Sequence, residues 1–247
     1  MANIPDLLYK YRSLQDNYTL RNIKNHLLYF SHPNIFNDPY DCNPQILDTE
    51  YRISHQTKLY IHDGASMIPA ECISGSLNIS YDLQKRISQQ ILNRYSICCF
   101  SSISDSILMW SHYADYHRGI CLVFKPKEDM MFFKGCAKVV YSKYRANYSL
   151  GNNNTHTHLI TKHIDWQYES EYRIIELNTS LSLDDNYQPM VYNHKALAEI
   201  IFGAKTDETN INNIICMCQD IPHLQHITFS KMVLDDTAEY KLKKVKL

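Results

Sequence analysis

Short stretches of alternating or continuous apolar residues follow one another along most of the chain. Period-2 alternation and short apolar runs between polar residues are typical of β-strands. Strands are predicted at residues 6–12, 27–30 (LLYF), 96–101 (SICCFS), 119–125 (GICLVFK), 137–142 (AKVVYS), 171–177 (EYRIIEL), 226–234 (HITFSKMVL) and 239–247 (EYKLKKVKL).

Helical spacing of apolar residues is rarer. Residues 80–95 repeat their apolar positions as an amphipathic helix does, and Ser80 or Asp82 is expected to cap that helix. Further helices are predicted at 106–117, ending near Gly119, and at 209–220, with a helix-to-strand transition over 196–203. Many short strands and few helices, without a regular strand–helix rhythm, favour an α+β fold over a doubly wound sheet. Since no internal repeat or Gly/Ser linker interrupts the chain, residues 1–247 are predicted to form a single domain.

Composition changes this picture little. Of the 247 residues, 25 are basic and 26 acidic, which argues against a bulk electrostatic grip on nucleic acid but leaves a local patch possible. The eight cysteines include no CxxC pair, so a structural zinc is not expected. No signal peptide and no run of membrane-spanning length is recognised, and the expected location is a reducing cytoplasm without membrane contact. Residues 145–159 are the most polar stretch and predict a flexible loop.

Two polar features near the start of the chain have both structural and functional interpretations. Arg12 lies in a predicted strand, where its planar guanidinium could hold a phosphate or simply be exposed. The segment LYFSHPNIFNDPYDC places Ser31 at a strand end, before an Asn-Asp-Pro turn and Asp41. Such turns tie down their own backbone, yet loops dense in fixed polar groups also carry function. Both interpretations stay open.

The segment 106–117 brings Trp110, His112 and Tyr113 close together between two strands. On a helix, Met109, His112 and Tyr113 share a face, because residues three and four apart are neighbours there. His112 is a candidate base or hydrogen-bonding partner at a pocket, while a half-buried structural histidine is the commoner case.

The segment WQYESEYRII holds two glutamates one residue apart. On a strand, Glu169, Glu171 and Arg173 point to one face, and Tyr168 and Tyr172 to the other. Two such carboxylates repel, which raises the pKa of one of them unless Arg173 or a ligand cation compensates. On a helix, Glu169 and Arg173 would form an ion pair worth only ~0.2–0.5 kcal/mol. The β-formers that follow favour the strand.

Four pieces together resemble a bacterial family, the domain of unknown function 2971. They are YKYRSL, LYFSHPNIFNDPYDC, CCFSSISDSILMWSHYADYHRGICLVF and the run K..DWQYESEYRII with AEIIFG, and they span residues 9 to 203 in the family's order. More distantly, the layout is similar to mono-ADP-ribosyltransferases. That resemblance implies a split, mostly antiparallel β core flanked by helices, and NAD consumed as a substrate. Genes of the domain of unknown function 2971 family often appear in defence settings, so the resemblance to that family implies a toxin or anti-phage effector.

The transferase resemblance also implies roles for individual residues. Glu171 would stabilise positive charge at the ribose during cleavage of the nicotinamide–ribose bond, and Glu169 would act on the acceptor. Arg12 would hold the pyrophosphate, and Ser31 or Asn37 the ribose or the amide of nicotinamide. Aromatic rings would stack on the ligand. The rings proposed for this are those of Tyr11, Tyr40 and Trp110, and the remaining expected contacts to NAD are Asp38, His112 and Tyr113.

Two other functions stay open. One is a Mg²⁺-dependent nuclease that uses Asp38, Asp41, His112 and Glu169 as its metal site. The other is a non-catalytic binding or sensor module, with which near-neutral charge and nineteen tyrosines are compatible. The acceptor (nucleic acid, protein or water) and the oligomeric state are not predicted by the sequence.

Overall fold

A computed structural model describes residues 4–46, 60–62, 67–69, 81–148, 157–177 and 187–247. Its helices are α1 (Asn17–Lys24), α2 (Tyr81–Leu92), α3 (Ile107–Tyr113) and α4 (Glu208–Asp220). Its strands are β1 (Leu8–Arg12), β2 (Leu27–Ser31), β3 (Gln45–Ile46), β4 (Tyr60–His62), β5 (Met67–Pro69), β6 (Tyr95–Ser101), β7 (Ile120–Phe124), β8 (Ala137–Lys138), β9 (Val140–Ser142), β10 (Asn147–Tyr148), β11 (Thr161–His163), β12 (Glu171–Leu177), β13 (Tyr187–Val191), β14 (Leu197–Phe202), β15 (Thr228–Leu234) and β16 (Leu242–Lys246). Short 3-10 helices, including Ile164–Glu169, link several of them.

One ten-stranded sheet dominates the fold and confirms the predicted α+β class. Its main order is β13-β2-β6-β1-β7-β14-β15-β16; outside that path, β12 pairs with β6, and β8 pairs with β12. Neighbours are antiparallel except β14 and β15, which run parallel. This sheet includes both the first strand, β1, and the last, β16, while β3 pairs with β10, β9 with β11 and β4 with β5 in separate two-stranded sheets.

The sheet forks at β6. Along one edge, β12 pairs with β6 over the full length of both strands, from Glu171 opposite Ser101 to Leu177 opposite Tyr95. On its remaining edge, β6 meets β1 at the single pair Tyr9–Ser101 and β2 at the single pair Ser31–Ile97. The strands β1 and β2 therefore share one edge of β6 and diverge from it, which leaves room for a cavity between them.

Apolar side chains on both sides of the sheet hold this arrangement together. All five residues of β7 are buried, as the continuous apolar run GICLVF predicts for a central strand. The helix α4 begins at its cap Asp207 and packs Ile211, Ile214 and Cys218 onto the larger core cluster. Tyr11 and Trp110 belong to a second cluster next to the fork. The core thus sits directly beneath the cavity and fixes its walls.

Several predicted elements differ from the structure in detail. The helix predicted over 106–117 ends at Tyr113, and the strand predicted over 137–142 is interrupted at Val139, whose amide donates to the Glu171 carbonyl oxygen. The helix-to-strand transition over 196–203 is instead a 3-10 turn (His194–Ala196) followed by β14. Ser80 and residues 149–156 of the predicted polar loop lie outside the described residues. In the parts of the chain that the structure describes, no helix is both long and apolar enough to cross a membrane.

Candidate functional site

A cavity of about 360 Å³ lies at the fork of the sheet. Residues 9–12 of β1 and residues 99–101 of β6 form its base, and residues 35–37, after β2, form one wall. The opposite wall comes from α3, whose Met109, His112 and Tyr113 all line the cavity, as their helical spacing predicts. Its volume falls within the range of about 300–1,000 Å³ that is common for small-molecule pockets.

Five buried charged side chains lie at one end of this cavity, and all of them except Arg173 line it. Each has a side-chain exposure of 5% or less. These five residues, the charge cluster, are Asp41, Lys162, Glu169, Glu171 and Arg173. With every member ionised, three carboxylates face two cations, so the cluster carries one uncompensated negative charge. A buried charge is costly unless it is paired, so the uncompensated charge of the cluster would stabilise a bound cation or a developing positive charge.

Arg173 forms the fixed half of the charge cluster. Its Nη1 and Nη2 donate to both oxygens of Asp41, at 2.8 and 2.7 Å, while its Nε donates to Glu171 Oε1 at 2.8 Å. Glu171 Oε2 accepts from Arg173 Nη2 and from Lys162 Nζ, both at 3.1 Å. Burial opposes ionisation of Glu171, but the charges of Arg173 and Lys162 outweigh it and hold the pKa of Glu171 well below its usual range.

Glu169 is held in a different way. Its Oε1 accepts from the Tyr113 hydroxyl at 2.6 Å, and its Oε2 accepts from Lys162 Nζ. Burial raises the pKa of Glu169 to about 7; the charge of Lys162 opposes this rise, and that of Glu171 adds to it. Perturbed carboxylates of this kind cluster at functional sites. Of the two glutamates, Glu169 is therefore the one with a proton to exchange near neutral pH.

The backbone around Glu169 corrects the predicted strand. Residues 164–169 form a 3-10 helix that ends at Ser170, whose φ of 46° is left-handed, and the strand begins only at Glu171. Ser101 Oγ donates to the Glu169 carbonyl oxygen at 2.6 Å and fastens this helix to β6. The two carboxylates therefore do not alternate along one strand. They reach the same cation, Lys162, from a helix end and a strand start.

The motif WSHYADYHRG builds the wall that carries Tyr113. Ser106 caps α3, and after Tyr113 the chain turns through three consecutive left-handed residues, 115–117, with φ of 47°, 52° and 70°. Non-glycine residues adopt this conformation only at a cost, which persists where the surroundings impose it. Here His117 stacks on Trp110 and its Nε2 lies 3.1 Å from Ser111 Oγ.

Trp110 does not face the cavity. It is fully buried, and its Nε1 donates to the Ser104 carbonyl oxygen at 2.8 Å. The predicted stacking of Trp110 on a ligand ring is therefore corrected, because this ring is part of the core. Tyr11 lines the cavity with most of its surface buried, and its hydroxyl donates to the Ile103 carbonyl oxygen at 2.9 Å.

The loop after β2 contributes unevenly. Asn37 lines the cavity and its Nδ2 donates to the Tyr113 hydroxyl at 3.4 Å. Asp38 lies outside the cavity lining, since its Oδ1 accepts from the Tyr40 amide at 2.9 Å in a turn. The predicted contact of Asp38 with a ligand is therefore wrong, and this side chain stabilises a turn instead. His112 lines the cavity, with Nδ1 2.9 Å from the Tyr168 hydroxyl.

The structure also weakens the proposed Mg²⁺ site. Asp41 has both oxygens engaged by Arg173, and Asp38 lies outside the cavity. Within the described ranges, no group of three or more His, Cys, Asp or Glu side chains is placed to hold a metal ion.

A second cavity of about 250 Å³ adjoins the first and shares Arg12, Ile35 and Phe36 with it. Ser31 lines this second cavity, together with three tyrosines that contact one another, Tyr18, Tyr29 and Tyr187. Arg12 stands at the junction, where it pairs with Asp16. Its Nε is buried and has no hydrogen-bond partner in the parts of the chain that the structure describes. A buried, unpaired donor at the meeting point of two cavities is rare in native proteins and calls for an acceptor.

Sequence reasoning missed the central cation of the site. Lys162 contacts all three carboxylates and opens the run K..DWQYESEYRII, but that run alone assigns it no role, because it lies on β11, a separate element from those of Glu169 and Glu171. The pairing of Asp41 with Arg173, 132 positions apart, likewise leaves no local signal. The cluster of carboxylates with a following arginine in YESEYR was the available hint.

The fold and the site define an α+β protein with a forked, mostly antiparallel sheet and a buried charge cluster in its cavity. Residues 109–174 match the profile of a family described as a protein of unknown function (DUF2971), which supports the predicted family. The matched segment runs from α3 into β12 and contains Tyr113, Lys162 and both glutamates. No curated protein matches the chain, and no solved structure does.

Proposed function

We propose that the protein consumes NAD, cleaving the bond between nicotinamide and ribose and passing the ADP-ribosyl group to an acceptor. The observation that carries the proposal is the pair of adjoining cavities that meet at Arg12. NAD has the matching form, with two ring-bearing halves joined by a diphosphate.

Arg12 is suited to the diphosphate. Its guanidinium is planar and always charged, and its Nε has no hydrogen-bond partner among the described residues. Asp16, the cap of α1, pairs with Nη2 of the same guanidinium and holds it in position at the junction. A diphosphate there would satisfy the buried Nε and send one half of the dinucleotide into each cavity.

The charge cluster determines which half goes where. Loss of nicotinamide leaves an oxocarbenium-like ribose, which a nearby carboxylate stabilises. The nicotinamide–ribose half therefore belongs in the larger cavity, which ends at Glu169, and the adenosine half belongs with Ser31 and the tyrosines of the second cavity. Lys10 stands in the larger cavity with its Nζ 3.0 Å from the Cys99 carbonyl oxygen.

The contacts favour Glu169 for the ribose, whereas the sequence alone favoured Glu171. Both oxygens of Glu171 already accept from Arg173, and one also accepts from Lys162. Glu171 is therefore a positioning residue that fixes Lys162 and Arg173. Glu169 accepts only from Tyr113 and Lys162 among the described residues, and its negative charge is the less compensated of the two.

The test is NAD consumption by the purified protein, followed as release of free nicotinamide. The wild type is expected to release it, and Glu169→Gln to do so ~10²–10⁴-fold more slowly, because the neutral amide cannot balance the ribosyl cation. Glu176→Gln, further along β12, is the matched control and should keep wild-type rates. Absence of nicotinamide release from the folded wild type, or equal rates for wild type and Glu169→Gln, would contradict the proposal. Binding of NAD without release would favour a sensor module instead.

A further inference from the structure

A third cavity of about 210 Å³ lies on the other side of Lys162. Lys162 lines both this cavity and the larger one at the fork, so the two cavities share its side chain as part of their walls. The residues between β9 and β10, with Lys143, Tyr144 and Arg145, form one side of it. Tyr40 and His163 also line it.

The charge of this surface is one-sided. Among the described residues that line the third cavity there is no Asp or Glu. Lys143 and Arg145 are exposed, and within the described ranges neither forms an ion pair with a carboxylate. Since the whole chain carries a net charge of −1, this concentration of cations is a local feature and does not follow from composition.

Two tyrosine rings stand beside these cations. Tyr144 is 82% exposed and Tyr40 is 65% exposed. The Arg145 guanidinium lies 5.9 Å from the centre of the Tyr40 ring, and the Tyr144 amide donates to Ser142 Oγ at 2.9 Å, which shapes the turn. Cations that follow a phosphate backbone, interleaved with exposed aromatic faces on which bases stack, are the recurring means of binding single-stranded nucleic acid.

We propose that this surface, the Tyr40–Arg145 face, binds a single strand of nucleic acid and supplies the acceptor of the ADP-ribosyl group. The inference rests on the proposed function, which it extends to an acceptor class. The C1′–N bond of NAD breaks and neutral nicotinamide leaves with the electron pair. A nitrogen or hydroxyl oxygen of a nucleotide forms the new bond to C1′ and gives up its proton, which the Glu169 carboxylate accepts. A single strand fits better than a duplex, because only unstacked bases can lie on tyrosine rings.

Binding is tested by fluorescence anisotropy with labelled 20-nucleotide single strands of DNA and RNA and with a duplex of the same sequence. The double variant Lys143→Glu/Arg145→Glu should lose at least tenfold in affinity for the single strand, and the salt dependence of its binding should flatten by about 0.7 per lost phosphate contact. Tyr144→Ala should lose affinity without a change in that salt dependence. The control Lys243→Glu/Lys246→Glu changes charge equally on exposed positions of β16 and should change affinity less than twofold.

Equal losses in the two double variants, equal binding of single strand and duplex, or no binding at all would overturn the inference. Transfer is then measured as radiolabel passed from NAD to the strand, beside nicotinamide release without any strand. Nicotinamide release with no label on the oligonucleotides, or with label on protein from a cell extract instead, overturns the acceptor alone. Strand binding with no nicotinamide release overturns the proposed function and, with it, the assignment of this face as an acceptor site.

Discussion

Two glutamates separated by one serine end up in opposite electrostatic conditions. Ser170 turns the chain through a left-handed φ, so Glu169 reaches Lys162 from the end of a 3-10 helix while Glu171 starts a strand beside Arg173. A guanidinium with fixed geometry holds one carboxylate ionised, and burial pushes the other toward neutrality. At the residue scale, the same type of side chain is therefore held ionised in the core at position 171, and the proposed function assigns the chemistry to position 169.

This division predicts different losses of stability. Glu171→Gln should lower the free energy of unfolding by ~3–5 kcal/mol, because Arg173 loses a charged partner inside the core. Glu169→Gln should change it by less than ~1 kcal/mol, since it removes the cluster's uncompensated charge and its amide oxygen can still accept from Tyr113. Urea denaturation of the two variants checks the difference. Equal losses in the free energy of unfolding would contradict this division, because the two carboxylates would then contribute equally to stability.

The raised pKa of Glu169 sets a pH dependence with a definite sign. The usual pKa of 4.5 is raised to about 7 in the folded protein, so the folded state keeps a proton that the unfolded state loses. Stability from the neutral carboxyl is complete below about pH 4.5 and declines as pH rises through 7. Nicotinamide release, which needs the carboxylate, should instead rise with pH through about 7.

Both trends are read against Glu169→Gln. The free energies of unfolding of wild type and variant are compared from pH 4.5 to 8. As pH rises, that of the wild type should fall relative to that of the variant. The pH profile of nicotinamide release should show an ascending limb near 7 in the wild type. A flat profile, or an ascending limb near 4.5, would mean that Glu169 ionises like an exposed glutamate.

At the scale of elements, strands with a clear period were predictable and their interruptions were not. β6, β7, β12 and β15 follow from short apolar or alternating runs rich in β-forming residues, a pattern that is typical of strands. Tyr168 and Glu169, at the end of the 3-10 helix over 164–169, were predicted as strand because β-formers follow them. The shape of this helix depends on tertiary contacts, among them Ser101 Oγ with the Glu169 carbonyl oxygen and the Tyr141 hydroxyl with the Glu171 amide.

Gly119 directly precedes β7 and lies against the backbone of β1 beside the site. A substitution there is therefore predicted to move β1. A Cβ at Gly119 would lie 2.2 Å from the Arg12 carbonyl oxygen, so Gly119→Ala must push β1 away and displace Arg12. We expect a loss of several kcal/mol in stability and, in protein that remains folded, weaker NAD binding. Gly135→Ala is the control: its φ is 84° but no atom lies within 4 Å of the added Cβ, so only ~1–2 kcal/mol of backbone strain is expected.

Calorimetric melting temperatures and NAD titrations of the two alanine variants decide the matter. If Gly135→Ala weakened NAD binding as much as Gly119→Ala, the effect would be one of general destabilisation and not of the position of Arg12.

For the whole molecule, the sequence predicted several residues that line the site but not the ion pairs that they form. Arg12, Asn37, His112, Tyr113, Glu169 and Glu171 were proposed from motifs and do line one cavity. Lys162 and the pair Asp41–Arg173 were invisible as a unit, because long-range pairing is decided by the order of strands in the sheet. Net charge was equally uninformative: a value near zero conceals both a buried anionic cluster and an exposed cationic face.

The strand order has a consequence in time. β2 can pair with β13 only after about 160 further residues have been made, and Asp41 can pair with Arg173 only after 132 further positions. A chain still emerging from the ribosome therefore has the half of the cavity that holds Arg12 before it has the half that holds Glu169. Sheets built from such distant neighbours fold slowly, over milliseconds to seconds. Under the proposed function, NAD consumption is therefore absent until the strand that follows Ser170 has been made and is in place.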